Sequence, residues 1–338
     1  MLLEESKGYQ VILAWFKSRG LQPFAFQEET WCHIMQSRSG LVNAPTGCGK
    51  TFSVFLGAVI QFINEHPENY QAKSRNHLRL LWVTPLRALA KDIGRAMKEV
   101  IEGLGMQWQV GIRNGDTEMN ERQKQKRQMP EVLIITPESL HLLLAQKDYP
   151  ELFRFLRILA VDEWHELLGS KRGVQVELAI SRIAHLVGVS DSANDFAETH
   201  QPPTANRQLS LWGISATIGN LEQAMEVLVS PVLNNIKDLP IIVQARLDKR
   251  IEIVSVIPDE IEKYPWAGHL GIKLVNKVIP IIENSRTTLI FINTRGMAER
   301  WYQEILNVAP ELSGAVALHH GSIDMELRLW VEEALHEG

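Results

Sequence analysis

Cysteine is almost missing from these 338 residues. Cys32 and Cys48 are too few and too far apart for a disulfide framework or a thiolate metal cluster, so a reducing cytoplasm is the expected compartment. Apolar runs of bilayer-spanning length are missing as well, and Leu2-Leu3-Glu4-Glu5 does not read as a signal peptide, so no membrane partner is expected. Positive charge is not in excess: 35 Lys/Arg against 40 Asp/Glu give a net charge of −5, which argues against a protein that coats nucleic acid through bulk charge. There is no internal repeat and no low-complexity tract, which sets aside solenoids and long flexible linkers. What is left is an ordinary globular composition, 45% hydrophobic and 22% charged, on a chain long enough for two domains.

The most informative segment is Leu41-Val42-Asn43-Ala44-Pro45-Thr46-Gly47-Cys48-Gly49-Lys50-Thr51. It is a short apolar strand feeding a glycine-bearing turn that ends in Lys-Thr. The pattern fits a phosphate-binding loop, with Ala44 where glycine is commoner. Glycines at 47 and 49 let backbone N–H groups turn toward a polyphosphate, Lys50 can reach its β/γ-phosphates, and the Thr51 hydroxyl can sit on Mg²⁺. A helix from about Phe52 to Asn64 would present its N-terminal dipole to the anion. A dinucleotide site is rejected, because Gly47-x-Gly49 lacks the third glycine and Phe52 takes that place. Cys48 has two readings, a small spacer within the turn or a reactive thiol, and the spacer is favoured because nothing in the sequence lowers its pKa.

Apolar runs at Leu41–Asn43, Leu80–Thr84, Val132–Thr136, Ile158–Asp162 and Leu209–Ser215 alternate with amphipathic stretches such as Leu86–Leu104 and Pro137–Gln146. That is the βαβ rhythm of a parallel sheet buried on both faces, an α/β fold. Ligands gather at the carboxyl ends of such strands, and each polar cluster of interest falls there. Asp191–Arg207 is polar and aperiodic and is expected to be a loop. Ile241–Leu247 and Ile251–Val256 read as two short strands around Asp248-Lys249-Arg250, a hairpin or connector. After Lys273 the rhythm restarts, with strands expected at Thr288–Asn293 and Ala315–Leu318 and helices at Gly296–Val308 and Asp324–His336. Charge is unevenly spread: Gln71–Pro130 holds twelve Lys/Arg against six Asp/Glu. A solvated helix face explains Lys124–Arg127, and a phosphate-tracking surface is the sharper alternative.

Cleaving a γ-phosphate requires a metal clamp and an oriented water. Ile158-Leu159-Ala160-Val161 reads as a buried strand whose end presents Asp162 and Glu163, the first to hold Mg²⁺ and the second to polarise the attacking water. Asp162 as a simple helix cap is the competing explanation. His165 either relays between nucleotide and sheet or packs at a helix start.

Together, Ala44–Thr51, Thr84-Pro85-Leu86-Arg87-Ala88-Leu89-Ala90, Thr136-Pro137-Glu138-Ser139-Leu140, Asp162-Glu163-Trp164-His165 and Ser215-Ala216-Thr217 resemble, in this order, a superfamily 2 DExH-box helicase. Asn114-Gly115-Asp116-Thr117 with the Asp-Glu-Trp-His variant resembles the Lhr-like branch. Pro23-Phe24-Ala25-Phe26-Gln27 is most like the ligase-associated DNA damage response helicases within it. The resemblance implies a RecA-like ATP-binding domain over 1–235, a connector over 236–272 and part of a second RecA-like lobe over 273–338. It implies an ATP-dependent helicase or translocase with ATP and Mg²⁺, working on single-stranded DNA in repair, 3′ to 5′, with a DNA ligase and a nuclease as partners. By the same resemblance Gln27 reads the adenine edge with Phe24 beside it, and Ser215 and Thr217 couple nucleotide state to lobe movement. Arg87, Gly115, Thr136 and Glu138 would grip the strand backbone, joined by Thr294 and Ser322 from the second lobe.

The second lobe of this family should also carry a Q-x-x-G-R-x-x-R-like segment that sends arginines to the γ-phosphate, and these 338 residues contain none. Such an arginine contributes on the order of 10³–10⁵ in rate, so an N-terminal fragment that binds nucleotide and turns it over slowly or not at all is the expectation. An RNA helicase and an ATP-gated binding module without unwinding are the alternative functions. A small-molecule kinase is disfavoured by the onset of the second lobe.

Overall fold

The computed structural model describes residues 2–73, 76–147, 149–189, 209–216, 218–235, 238–246, 251–258 and 271–337. The chain divides into two compact units, Met1–Asp248 and Lys249–Gly338.

The first unit is built on seven strands: β1 Gly40–Asn43, β2 Leu80–Val83, β3 Val110–Arg113, β4 Val132–Ile135, β5 Ile158–Val161, β6 Ser210–Ser215 and β7 Ile241–Gln244. Their spatial order is β3-β4-β2-β5-β6-β1-β7 and every pairing is parallel. Parallel neighbours need a crossover, and the helices supply it: α1 Lys7–Ser18, α2 Ala25–Met35, α3 Lys50–Glu65, α4 Arg87–Gly103, α5 Met119–Arg127, α6 Pro137–Leu144, α7 Tyr149–Phe153, α8 Trp164–Leu167, α9 Lys171–Val189 and α10 Leu221–Val229.

The strands read as unbroken apolar runs because both faces are covered. Successive side chains alternate between two cores. Val42, Trp82, Ile134, Ala160 and Trp212 join the layer containing α1 to α4, while Leu41, Leu81, Leu133, Leu159 and Leu211 join the layer containing α6 and α9. Helix periodicity matches. α4 buries Ala90, Ile93, Met97, Val100 and Ile101, and α9 buries Val176, Ala179, Ile180, Ile183 and Val187. Because all seven strands run the same way, residues 44, 84, 114, 136, 162 and 216 all follow strand ends on one edge of the sheet. That edge collects the polar clusters read from the sequence.

Three expectations need correction. β3 was missed: its four residues include Gly111 and Arg113, too short and too mixed to show a period. Ile241–Leu247 is not one arm of a hairpin, since Ile241–Gln244 lies beside β1 as an edge strand and 251–258 forms no strand. The boundary between the compact units therefore falls after the segment assigned as the start of a connector. In the second unit the described residues hold α11 Val275–Glu283, α12 Arg295–Val308 and α13 Met325–Glu337 but no strand, so Thr288–Asn293 and Ala315–Leu318 are not strands. A β-rich apolar run becomes a strand only where a neighbouring chain takes its N–H and C=O groups. Here Phe291 is 91% exposed, and the unit's small core is Val275, Ile279, Ile305 and Ala309. The expected loop at Asp191–Arg207 lies outside the described residues.

α1 and α3 touch at Gly8. A Cβ there would sit 2.4 Å from the Ile60 carbonyl oxygen, whereas one on Gly296 in α12 would meet no atom within 4 Å. Gly8→Ala is therefore expected to destabilise the first unit by about 1–3 kcal/mol through overpacking, read as a lower urea midpoint. Gly296→Ala should leave that midpoint unchanged.

Candidate nucleotide and nucleic-acid site

β1 ends at Asn43, and residues 44–49 turn the chain into α3. Gly47 and Gly49 adopt φ of 76° and 74°, left-handed values that side-chain-bearing residues rarely take. At Gly49 space is restricted too, since a Cβ would lie 2.9 Å from the Gln27 side-chain nitrogen. The loop rim at Thr46 and Gly47 is open to solvent, while Cys48 is buried and its thiol donates to the Pro45 carbonyl at 2.7 Å. That contact suits a turn brace, the spacer reading of Cys48. Gln27 bridges loop and helix: its side-chain oxygen accepts the Phe24 N–H at 2.9 Å and its nitrogen donates to the Gly49 carbonyl at 3.0 Å. Phe24 is part-exposed and stacks on Phe26 at a centroid distance of 5.9 Å.

β6 and β5 lie in that order next to β1, so the acid pair after β5 is two strand spacings, roughly 10 Å, from the loop. The Lys50 side chain crosses the gap. Its Nζ is buried, lacks a hydrogen-bond partner among the described residues and stands 4.0 Å from Glu163 Oε1. Glu163 itself occupies a left-handed conformation, φ 47° and ψ 47°, unusual for a non-glycine residue and of the kind that collects at active sites. The turn directs its other oxygen, Oε2, to within 3.4 Å of His165 Nδ1, and Nδ1 is also 3.0 Å from Ser215 Oγ. Lys50, Glu163, His165 and Ser215 thus form one chain of contacts across three strand ends. His165, in the first turn of α8, is the member that joins Glu163 to Ser215.

Asp162 is 5% exposed. Burial, then the neighbouring Glu163 charge, push its carboxyl up to about 6. The Glu163 N–H at 2.9 Å and the Trp82 indole N–H at 3.3 Å act the other way, each donating to one of its oxygens. Trp82, on β2, was legible in the sequence only as a strand residue. Asp162 as a bare helix cap is not what the structure shows, because α8 starts from Glu163 with no side-chain capping bond.

The remaining strand ends carry three loops on the same edge. Arg87 pairs with Asp116 at 3.1 Å, and a Cβ on Gly115 would collide with the Arg87 guanidinium at 2.8 Å. The 114–117 turn is fixed by Arg122, which donates to the Thr117 and Asn114 carbonyls at 2.9 Å each. Thr136 is buried at the start of α6 and donates to Ser139 Oγ at 3.2 Å. Glu138 meets Arg172 at 2.7 Å, and Arg172 also donates to the Pro85 carbonyl at 2.8 Å. Sequence reasoning missed Arg122 and Arg172. Each sits in a helix whose charge reads as solvated, and no local pattern shows that it turns back onto a loop. Thr217 lies outside the described residues. In the second unit, Thr294 caps α12 through the Met297 N–H at 3.3 Å, and Ser322 is bonded to Arg295. His319 pairs with Glu332 at 2.8 Å.

A parallel sheet with a glycine turn, a buried lysine facing a carboxylate and an adjacent acid pair at its carboxyl edge defines a nucleoside-triphosphate-binding α/β protein. The chain belongs to the DEAD/DEAH box helicases, whose family pattern matches residues 24–224. It is 32% identical over 317 residues to the ATP-dependent helicase Lhr-Core protein 2 of Thermococcus barophilus, covering 90% of this chain and 34% of that protein. It is 28% identical to the Lhr helicase/uracil glycosylase of Escherichia coli, covering 96% of this chain and 23% of that one. The chain thus spans about a third or less of these relatives. A solved structure, the Mycobacterium smegmatis helicase Lhr bound to ssDNA and AMP-PNP, superposes with a TM-score of 0.70 at 26% identity, covering 97% of this chain and 40% of that one. Among the described residues no helix is long and apolar enough to cross a membrane.

A carboxyl held near 6 and an ordinary Asp near 3.9 when unfolded bind protons differently between those values, the folded state binding more. Stability of the ligand-free protein should therefore fall as pH rises from about 4 to about 6, by up to about 3 kcal/mol for the roughly two-unit shift. Urea titrations in EDTA check this. Asp162→Asn should remove that component of the pH dependence, and an unchanged pH profile would contradict the assignment.

Proposed function

We propose that this chain is the ATP-binding and strand-binding part of an ATP-dependent helicase or translocase acting on single-stranded DNA. The observation that carries the reading is Lys50: a buried ammonium without a hydrogen bond, held beside Glu163, is a costly arrangement that a bound polyphosphate relieves. Backbone N–H groups of residues 46–51 cradle the phosphates, with Phe24 and Gln27 placed next to that loop for the base. Thr51 and Asp162 fit the hard oxygen ligands that Mg²⁺ prefers, and when bound the ion neutralises charge on the phosphate oxygens. Glu163 orients the attacking water and accepts its proton. His165 and Ser215, and by family resemblance Thr217, connect that event to the sheet.

The loops bearing Arg87, Gly115, Thr136 and Glu138 grip the sugar-phosphate backbone, which makes binding salt-sensitive and largely independent of sequence. Thr294 and Ser322 are assigned the same role in the second lobe, over 273–338. DNA is preferred to RNA because the Lhr structure at 26% identity is bound to ssDNA. A repair role, 3′ to 5′ movement and a ligase and nuclease as partners complete the reading, on resemblance to the ligase-associated subgroup.

Two measurements on the 338-residue chain test it. Glu163→Gln should keep fluorescent ATP affinity within a fewfold while phosphate release falls by about 10²-fold or more, and Lys50→Ala should weaken nucleotide binding itself. Affinity for an oligo(dT) strand should fall with salt, log K against log salt sloping about −0.7 per phosphate contacted, and should exceed that for a matched RNA. Preference for RNA would support the RNA-helicase alternative.

A further inference from the structure

Arg172 stands in the first turn of α9 and joins two loops that the sequence keeps far apart. Its Nε donates to Glu138 Oε1 at 2.7 Å and its terminal nitrogen to Glu138 Oε2 at 3.4 Å. The same terminal nitrogen donates to the Pro85 carbonyl at 2.8 Å. One planar guanidinium therefore fixes the turn after β2 and the first turn of α6 relative to each other. An isolated surface ion pair contributes little to stability, so stability is a weak explanation for this arrangement. A forked contact to a carboxylate plus a third bond to main chain instead sets geometry.

The segment that leads into Arg172's helix starts at the acid pair. Eight residues separate Glu163 from Arg172, and several of them are anchored. Trp164 is fully buried and its indole donates to the Ala224 carbonyl at 2.8 Å. Ser170 Oγ donates to the Leu167 carbonyl at 2.7 Å and accepts the Gly173 N–H at 3.1 Å. A Cβ on Gly173 would lie 2.1 Å from the Leu167 carbonyl oxygen, so α8 and α9 meet backbone against backbone. The buried Trp164, the Ser170 bonds and the close approach at Gly173 thus give a short, anchored connection from Glu163 to Arg172, and through Arg172 to Pro85 and Glu138.

We propose that Arg172 is a positioning residue that couples the occupancy of the nucleotide site at Asp162–Glu163 to the grip of the Pro85 and Glu138 loops on single-stranded nucleic acid. The proposal rests on the function assigned above and adds the physical link between its two ligands. Coupling of this kind is reciprocal, changing each ligand's affinity by the same factor, typically 5–150-fold. Arg172 touches neither nucleotide nor reacting atoms, so its loss should change that factor and not nucleotide binding alone.

The test measures anisotropy of a labelled oligo(dT) strand on the 338-residue chain, with and without AMP-PNP and Mg²⁺, together with fluorescent ATP binding without DNA and thermal melting. Wild type should show a nucleotide-dependent change in strand affinity within that range. Arg172→Ala should bring the ratio to within twofold of one, with the melting midpoint and DNA-free nucleotide affinity unchanged. Arg172→Lys, which keeps the charge but not the fork, should give an intermediate ratio. A wild-type ratio in Arg172→Ala would overturn the proposal. So would a joint fall of midpoint and both affinities, which marks a packing role. If wild type binds both ligands without mutual effect, the coupling is wrong and the function stands; if it binds neither, the function reading fails and the coupling with it.

Discussion

A lysine ammonium withdrawn from water, with one carboxylate 4.0 Å away and no hydrogen bond, is the constraint around which the first unit is arranged. Partly compensated buried charge costs several kcal/mol, and the fold must hold it in place rather than let it reach solvent. α3 does so by being buried along almost its whole length between the sheet and the first two helices. The loop before it does so by accepting two left-handed glycines. Glu163 does so from the other side, in a conformation that only a well-packed frame maintains, with Trp164 buried immediately after it.

The frame is a sheet covered on both faces. With α1 to α4 on one side and α6 and α9 on the other, its strands can be short and wholly apolar, and the only place left for polar chemistry is the edge where strands end. Parallel direction puts every strand end on that edge. Glycine turn, acid pair and the loops proposed to grip the strand are therefore neighbours for topological reasons, although the sequence spreads them from residue 44 to residue 216. The proposed separation of roles along the edge also follows: β1, β6 and β5 carry the groups proposed for nucleotide chemistry, while β2, β4 and β3 carry the loops proposed for the strand.

Much of this was legible beforehand. Five of the seven strands announce themselves as apolar runs ending in polar residues, and the phosphate loop is written in contiguous sequence. β3 was not legible because glycine and arginine interrupt four residues. β7 was legible as a short strand, but its pairing was not: a strand added at an edge looks, locally, like an arm of a hairpin or connector. Thr288–Asn293 failed in the opposite sense: its residues favour a strand, but strand formation is a property of pairs, and no described partner accepts its hydrogen bonds. Trp82, Arg122 and Arg172 were invisible as site residues because each acts through a contact to residues distant in the chain or on another element.

Sequence alone determined what depends on neighbours along the chain. It marked the glycine turn before Lys50-Thr51, the adjacent carboxylates Asp162 and Glu163, the alternation of buried strands with amphipathic helices, and the family those motifs belong to. Tertiary structure decided what depends on neighbours in space. Packing placed Lys50 against Glu163, raised the Asp162 carboxyl through burial, engaged both polar ends of Gln27, and laid Arg172 across Pro85 and Glu138. The reason is physical: propensity and motif spacing act over a few residues, whereas desolvation, charge pairing and hydrogen-bond partnership exist only once distant segments share one volume.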